Sequence, residues 1–567
     1  MEPSEIEQNV NKIKELLKSE DFDVVNTGLE LLQELDATEV YEELLDGCSV
    51  NEEGKLVNEK EEISDYFICA LSSFSEGPRA KEIREKLTFH IVYESSISNL
   101  GGLVNLTNLT FLILRWSCSS LTNIDGLANL TNLTELSLDC CESLTNIDVL
   151  ANLNNLTVLK LSSCESLTNL DGLSSLTKLT NLSIIRGESL TNLDGLTKLN
   201  NLTDLDLEYC KPLTNLDGLT KITKITKLSL LACSSLTNID GLANLTQLTT
   251  LNLTRCSSLT NLDGLANLNN LTKLSLGESI TNIDVLANLN NLTELNLGGC
   301  NKITNLDGLA NLTNLAELNL EGCTKITNLD GLANLTNLTE LWISTELTLD
   351  GYSSLTNLDG LVGYANLTNL TKLSIEDNGI HDGEEGFNFF TGLSHLKNLT
   401  SLNIESTLIK NVDDLANLTS LIKLNLEGCT KITNLDGLAN LTNLTELDFV
   451  YGRSLTDIYG LSNLNKLSYL DLSYCEELTD LSSLANLTNL TNLILTDCGV
   501  WYPDEIINVD FLANLTKLTE LNLSGCFNIQ IKPDGYLIEE KYEDGGEYIV
   551  LKDEELTAYL KKIKEQQ

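Results

Sequence analysis

Two residue types capable of metal binding or redox chemistry recur along this chain, mostly at a spacing of 23 positions. One row consists of the cysteines Cys118, Cys141, Cys164, Cys210, Cys233, Cys256, Cys300, Cys323, Cys429, Cys475, Cys498 and Cys526. The other consists of the aspartates Asp125, Asp148, Asp171, Asp194, Asp217, Asp240, Asp263, Asp284, Asp307 and Asp330. Zinc and calcium need ligands that converge on one point, whereas a row distributes them along a line. We therefore interpret the thiols as packed beneath a loop and each Asp as the cap of the following turn.

The thiol row also bears on the cellular compartment. Adjacent β-strands lie about 4.8 Å apart, inside the roughly 4.4–6.8 Å Cα separation that a disulfide spans. Free thiols at that spacing would be a liability in an oxidising compartment, so the row predicts a reduced, intracellular chain. The N-terminal MEPSEIEQNVNKIKELL lacks the basic start and apolar core of a signal peptide, and no apolar run long enough for a membrane span occurs. We expect a cytoplasmic protein.

The sequence shows no catalytic constellation. None of the 3 histidines, His90, His381 and His395, lies in a context that pairs a nucleophile with a base. Neither a Gly-x-Gly-x-x-Gly pattern nor a phosphate-binding loop occurs. The acidic segment 376–385 departs from regular calcium-loop spacing, and calcium binding there stays open. We predict a non-enzymatic protein without cofactor or metal.

One repeated segment must position these rows. The chain reads LAELNLEGCTKITNLDGLANLTN from Leu315 and LIKLNLEGCTKITNLDGLANLTN from Leu421. Counted from the first leucine of L-x-x-L-x-L, about 18 repeats run from Leu109 to Leu518. Apolar residues at repeat positions 1, 4 and 6 predict a short strand, and those at 12, 15, 18 and 21 predict a tight 3₁₀ turn. Stacked repeats bury these side chains against one another and form a parallel sheet.

From about Asn99 to Cys526, the repeats resemble those of leucine-rich repeat proteins, through runs similar to LANLTNLTxLxLxxN. The internalin-like and phosphatase-regulating classes are the most similar, although cysteine mostly replaces the usual asparagine at position 9. The resemblance implies an α/β solenoid, a horseshoe or arc of about 18 repeats. We expect a helical N-terminal domain over 1–95, the solenoid over 96–526, and a C-terminal cap of β-hairpins plus helix over 527–567.

Composition limits the partners. With 36 Lys+Arg against 82 Asp+Glu, the formal net charge is −46. This excess argues against nucleic acid and anionic membranes as partners and allows a basic protein partner, although it also serves solubility. We expect a monomer.

Side chains at positions 3, 5, 7 and 8 of each repeat are predicted to face away from the core, where they vary without changing the fold. Aromatic residues beside carboxylates on this face and in the inserts suit recognition of a basic protein surface. The candidate binding residues are Asp204, Asp206, Glu208, Tyr209, Glu317, Glu321, Glu340, Trp342, Glu376, Asp377, Glu446, Asp448, Tyr451, Tyr469, Asp471, Tyr474, Trp501 and Tyr502.

The sequence favours a protein-binding scaffold or adaptor that uses the acidic concave face and the loop inserts. The resemblance leaves two alternatives open. One is a regulatory subunit of an enzyme such as a phosphatase, and the other is a secreted, internalin-like adhesin. The lack of an apparent signal peptide argues against the adhesin.

Overall fold

The computed structural model describes most of the repeat region and parts of both ends. The described residues are 8, 11–13, 15–16, 27, 31, 41–42, 44–58, 77–92, 99–115, 119–344, 367–376, 393–405, 409–499, 509–525, 540–541, 547–548, 550–552, 556 and 560–561. The chain forms two compact units, Met1–Ile280 and Thr281–Gln567.

The first unit begins with helical residues and a hairpin. All residues described from 8 to 44 are helical, as predicted for this region. Strand β1 (Cys48–Val50) pairs antiparallel with β2 (Leu56–Asn58), and neither strand was predicted. Helix α1 (Pro78–Lys86) opens on proline, which suits a first helical turn because its missing N–H needs no partner there. The domain boundary at 95 stays a prediction.

A parallel sheet follows in the same unit. It consists of β3 (Phe89–Val92), β4 (Phe111–Leu114), β5 (Glu135–Asp139), β6 (Val158–Ser162), β7 (Asn181–Ile185), β8 (Asp204–Asp206), β9 (Lys227–Ser229), β10 (Thr250–Asn252) and β11 (Lys273–Ser275). Each strand pairs in parallel with the next, so equivalent repeat positions lie side by side.

The second unit repeats this arrangement. Its parallel strands are β12 (Glu294–Asn296), β13 (Glu317–Leu320), β14 (Glu340–Ser344), β15 (Lys372–Glu376), β16 (Ser401–Glu405), β17 (Lys423–Asn425), β18 (Glu446–Asp448), β19 (Tyr469–Asp471), β20 (Asn492–Ile494) and β21 (Glu520–Asn522). Near the C-terminus lie β22 (Glu540–Lys541), β23 (Glu547–Tyr548) and β24 (Val550–Lys552), and β24 pairs antiparallel with β21. Strands β22 and β23 pair antiparallel, in line with a predicted hairpin.

Short 3₁₀ helices return the chain from one strand to the next. In the first unit they are Gly101–Leu103, Asp125–Leu127, Asp148–Asn152, Asp171–Leu173, Asp194–Leu196, Asp217–Leu219, Asp240–Leu242 and Asp263–Leu265. In the second unit they are Asp284–Asn288, Asp307–Leu309, Asp330–Leu332, Leu393–His395, Asp413–Asn417, Asp436–Leu438, Tyr459–Leu461, Ser482–Asn486 and Asp510–Asn514. The predicted α/β repeat solenoid is confirmed within each unit, whereas the repeat count and the horseshoe shape stay predictions.

The core follows the predicted repeat positions. In the repeat that starts at Leu315, the side chains of Leu318, Leu320, Cys323 and Ile326 are at most 1% exposed. The intervening outward residues of the strand are only partly covered. This alternation places one face of each strand in the core and leaves the other for contact with solvent or a partner.

In the Asp row, an asparagine two residues earlier, and not the aspartate itself, supports each 3₁₀ turn, whereas Asp457 and Asp480 take that role before Tyr459 and Ser482. The Asp125 N–H donates to Oδ1 of Asn123 at 3.2 Å, whereas no side chain caps that helix. The same bond, at 2.6–3.2 Å, recurs from the described Asn146, Asn169, Asn192, Asn215, Asn238, Asn261, Asn282, Asn305, Asn328, Asn411 and Asn434. The predicted capping role of the Asp row is therefore wrong: the side chain two residues earlier satisfies the orphan N–H.

The glycine after most of these aspartates allows a close approach between repeats. A Cβ on Gly241 would lie 2.2 Å from the carbonyl oxygen of Leu216. Where a larger residue occupies this place, as Val149 and Phe511 do, the 3₁₀ helix lengthens to five residues. The turn therefore has two forms, chosen by the size of one side chain.

The cysteine row lies in the core. The described row members are free thiols and are buried, more deeply than the semi-buried state predicted. Cys233 Sγ donates to the Leu207 carbonyl at 3.1 Å, and Cys323 donates likewise to Leu297 at 3.1 Å. The predicted bond from each thiol to a neighbouring carbonyl is thus confirmed at these positions.

His90 makes the stability of the first unit sensitive to acid. It lies in β3 opposite Leu112 and is 3% exposed, and burial lowers its pKa from 6.5 to about 4. The imidazole is neutral when folded but charges in the unfolded chain below its ordinary pKa, so stability is present above pH 6.5 and is lost as pH falls towards 4.

We expect wild type to lose about 2 kcal/mol more unfolding free energy than His90→Leu between pH 7 and about pH 5. Leucine fits because the facing residue of β4 is leucine. Urea unfolding at both pH values measures the difference. An equal loss in the two proteins would show that His90 is already protonated or solvated in the folded chain.

Candidate protein-binding face

The outward side chains of the second unit form columns because its strands are in register. The position-3 column is Glu294, Glu317, Glu340, Lys372, Ser401, Lys423, Glu446, Tyr469, Asn492 and Glu520. The position-5 column is Asn296, Asn319, Trp342, Ser374, Asn403, Asn425, Asp448, Asp471, Ile494 and Asn522. Position 7 holds four glutamates that we call the carboxylate column, namely Glu321, Glu376, Glu405 and Glu427.

Lysines offset part of the charge at position 3. Lys372 Nζ lies 2.5 Å from Glu340 Oε1, and Lys423 Nζ lies 2.7 Å from Glu446 Oε2. Exposed pairs of this kind add little stability, but they cancel charge locally. Glu340 and Glu446 are both predicted binding residues. Because a lysine neutralises each of them, they attract a basic partner less strongly than an unpaired glutamate would.

Position 5 serves the fold as well as the surface. The Glu321 N–H donates to Asn319 Oδ1 at 2.8 Å, and the Glu427 N–H donates to Asn425 Oδ1 at 2.8 Å. Each bond fixes the backbone where it leaves the strand. Where an amide or carboxylate oxygen at position 5 accepts this bond, the bond restricts variation of that position, whereas Trp342 and Ile494 occupy the same position without such an oxygen.

The carboxylate column brings like charges together on neighbouring strands, with Glu376 of β15 in register with Glu405 of β16. Burial raises the pKa of Glu376, and the neighbouring charges of Glu321 and Glu405 raise it further. Burial and Glu427 likewise raise the pKa of Glu405. Like charges that raise one another's pKa indicate a surface whose negative potential a cationic partner would relieve.

Two aspartates of the position-5 column, Asp448 and Asp471, lie side by side in β18 and β19. Burial, followed by the charge of Asp471, raises the pKa of Asp448 to about 6. Asp448 Oδ1 is buried and has no hydrogen-bond partner among the described residues. Asp471 differs, because it is 8% exposed and its Oδ1 accepts from the N–H and Oγ of Ser473 at 2.9 and 2.5 Å. The structure thus corrects Asp471 from an outward binding residue to one that holds the loop.

Aromatic rings lie beside these carboxylates. Tyr451 and Tyr474 stack with ring centroids 4.7 Å apart and an interplanar angle of 19°. Both residues have a left-handed backbone, with φ of 62° and 60°. In β19, burial and then Asp471 raise the pKa of Tyr469 to about 12, so its hydroxyl stays protonated. The predicted neighbourhood of tyrosine and carboxylate is therefore formed by residues of the second unit.

The first unit holds a smaller group of predicted residues. Asp204 and Asp206 lie in β8, and Glu208 and Tyr209 follow it. Burial, and then the charge of Glu208, raises the pKa of Asp206. Ser229 Oγ donates to Glu208 Oε1 at 2.9 Å. These half-buried carboxylates therefore already accept hydrogen bonds from residues of the protein itself.

The prediction missed some residues of both units. Glu405 and Glu427 were not among the candidates, although they occupy the same repeat position as Glu321. A cavity of about 270 Å³ on β4–β6, lined in part by Phe111, Arg115 and Lys160, was also missed. The sequence indicates this cavity through Phe111 and Val158, which are apolar residues at position 3, where most repeats have a polar residue. Asp377, Trp501 and Tyr502 lie outside the described residues.

The described residues contain no group of three or more His, Cys, Asp or Glu side chains arranged to hold a metal ion. Within the same residues, no helix combines the length and apolar character that a membrane crossing requires.

Three family models of leucine-rich repeats match the chain. The BspA-type leucine-rich repeat region matches 116–211 and 185–276. A general model of leucine-rich repeats in two copies matches 269–311, and the Zer-1-like leucine-rich repeats match 458–532. No curated protein matches the whole sequence at a significant level.

Solved structures show similar folds at low identity. An internalin of Listeria monocytogenes is 24% identical over 61% of this chain and 87% of its own, with a TM-score of 0.43. A leucine-rich repeat protein of Leptospira interrogans is 21% identical over 73% and 92%, with a TM-score of 0.43. The functional domain of InlJ from Listeria monocytogenes, which includes a cysteine ladder, is 22% identical over 70% and 68%, with a TM-score of 0.37.

Proposed function

Since the chain is a leucine-rich repeat protein, we propose that it is a non-enzymatic scaffold or adaptor that binds a basic protein through the acidic strand face of its second unit. Proteins with such repeats generally bind other proteins. The observation that carries the proposal is the carboxylate column, in which the pKa values of Glu376 and Glu405 are raised by burial and by neighbouring glutamates.

The column supports a charged rather than an apolar contact. Glu376 and Glu405 lie side by side on β15 and β16, so a cationic surface meets both carboxylates at once. The strands are held by parallel pairing and by fully buried leucines, so the charges are positioned before a partner arrives. We place the protein in the cytoplasm and treat it as a monomer, as the sequence predicts.

The test is capture of partners from native lysate by the full chain at about 50 and about 300 mM salt. The face variant is Glu376→Gln, Glu405→Gln and Glu427→Gln together. The matched control is Asp307→Asn, Asp330→Asn and Asp436→Asn, which removes equal charge from exposed first residues of 3₁₀ helices.

We expect basic proteins that bind wild type and the control to be captured about ten-fold less by the face variant, and less by wild type at the higher salt. Equal loss in both variants would mean that net charge alone governs binding. Unchanged capture by the face variant would overturn the proposal. Stoichiometric capture of a single enzyme would instead favour the regulatory-subunit alternative.

A further inference from the structure

The stack of Tyr451 and Tyr474 ends beside a glycine. Strands β18 and β19 are neighbours, and the rings project from the equivalent position 8 of two consecutive repeats. The stack therefore runs along the sheet, from repeat to repeat. The same position in the preceding repeat is Gly428, which has a left-handed φ of 73° and no side chain to continue the stack.

The space above Gly428 is next in line after the two stacked rings, because β17 pairs with β18. A Cβ at Gly428 would meet only Glu405 Cγ, at 3.5 Å, among the described atoms within van der Waals range. Repeats are spaced about 4.8 Å along the sheet, which is close to the separation of stacked rings. Tyr451 is 38% exposed, so its ring is accessible from outside. One more flat group would fit on the free face of Tyr451.

The charges around this space select a cation. Glu405 borders it directly, and Glu427 immediately precedes Gly428. Asp448 lies in the strand before Tyr451, and its Oδ1 is buried without a partner among the described residues. Arg453, two residues after Tyr451, lies 3.5 Å from Glu476 Oε1. A buried acceptor without a partner, such as Asp448 Oδ1, is a group that the fold alone does not explain.

We propose that Tyr451, Glu405 and Glu427 form a pocket for an arginine side chain of the partner protein, with the guanidinium stacked on the ring of Tyr451 over Gly428. Arginine suits the site because its planar cation stacks on an aromatic face and donates in a fork to carboxylates. Lysine offers the charge without the plane. This inference rests on the proposed function and specifies which basic residue the acidic face reads.

The test measures binding of short labelled Gly/Ser peptides to the full chain by fluorescence anisotropy. The peptides carry arginine, lysine or citrulline at the same places. The decisive variant is Tyr451→Gly, because glycine already occupies the equivalent left-handed position at Gly322, Gly428 and Gly525. The control is Tyr459→Ser, which removes an exposed ring from the first residue of a 3₁₀ helix, a place that Ser482 occupies in the next repeat. Circular dichroism and thermal melts verify that both variants fold.

We expect wild type to bind the arginine peptide about five-fold more tightly than the lysine peptide and to bind the citrulline peptide weakest. Tyr451→Gly should remove the preference for arginine over lysine, and Tyr459→Ser should retain it. Glu405→Gln with Glu427→Gln should weaken both cationic peptides, as charge neutralisation requires.

Equal binding of the arginine and lysine peptides, or a preference that survives in Tyr451→Gly, would overturn the arginine pocket. The proposed function would stand in that case if salt-sensitive capture of basic proteins still depended on the carboxylate column. Tight binding of citrulline equal to arginine would also overturn the inference, because stacking without charge would then suffice.

Discussion

Leu318→Ala is expected to lower the free energy of unfolding by about 2–5 kcal/mol, since it removes a fully buried side chain and leaves a cavity in a packed core. Leu318 lies in β13 between Leu295 and Leu341 of the neighbouring strands. The substitution therefore weakens packing in three consecutive repeats. Urea unfolding followed by circular dichroism measures the change.

The matched control is Glu317→Ala, one residue earlier and facing outward in the same strand. We expect it to change stability by less than about 0.5 kcal/mol. Similar losses from the two substitutions would contradict the assignment of inward and outward faces on which the candidate site depends.

The buried thiols should resist alkylation by roughly a thousand-fold relative to the unfolded chain. Burial raises the pKa of Cys210, Cys256 and Cys323 from 9.0 to about 12, so the reactive thiolate becomes about 1000 times rarer at pH 8. Mass spectrometry of samples treated with iodoacetamide, with and without urea, measures the labelling rate of each cysteine.

Cys140 is the internal reference because it is only half-buried in the native chain. It should be labelled at least tenfold faster than Cys210 before urea is added. If Cys210 were labelled as fast as Cys140, the cysteine row would have to open locally without global unfolding.

The repeat fold was predictable because the same pattern of apolar residues recurs in every repeat and each copy predicts the same strand and turn. The positions of Leu315, Leu318 and Leu320 recur so regularly that strand, core and register follow from apolar spacing alone. The left-handed backbone at position 8 was not predicted, because nine described non-glycine residues, among them Tyr209 and Tyr451, adopt it against their ordinary preference.

The candidate site was predictable in kind but only partly in detail. Carboxylates and tyrosines at outward positions were correctly placed, as Glu321 and Tyr474 show. The repeat pattern did not predict which carboxylate oxygens accept a hydrogen bond within the protein. Asp448 and Asp471 occupy the same repeat position, yet one has an unpartnered oxygen and the other is closed by Ser473. That difference arises at position 7 of the same repeat, where Ser473 supplies a hydroxyl to Asp471 and Val450 offers none to Asp448.

The left-handed position has a consequence for how such a surface diversifies. Its backbone is fixed by hydrogen bonds to the next repeat, such as that from the Tyr451 N–H to the Ser473 carbonyl at 2.9 Å. Glycine, tyrosine, arginine, serine, alanine, cysteine and aspartate all occupy the equivalent place in different repeats. Position 8 therefore accepts different side chains on the same backbone. One codon change there alters the surface while the strands remain in register.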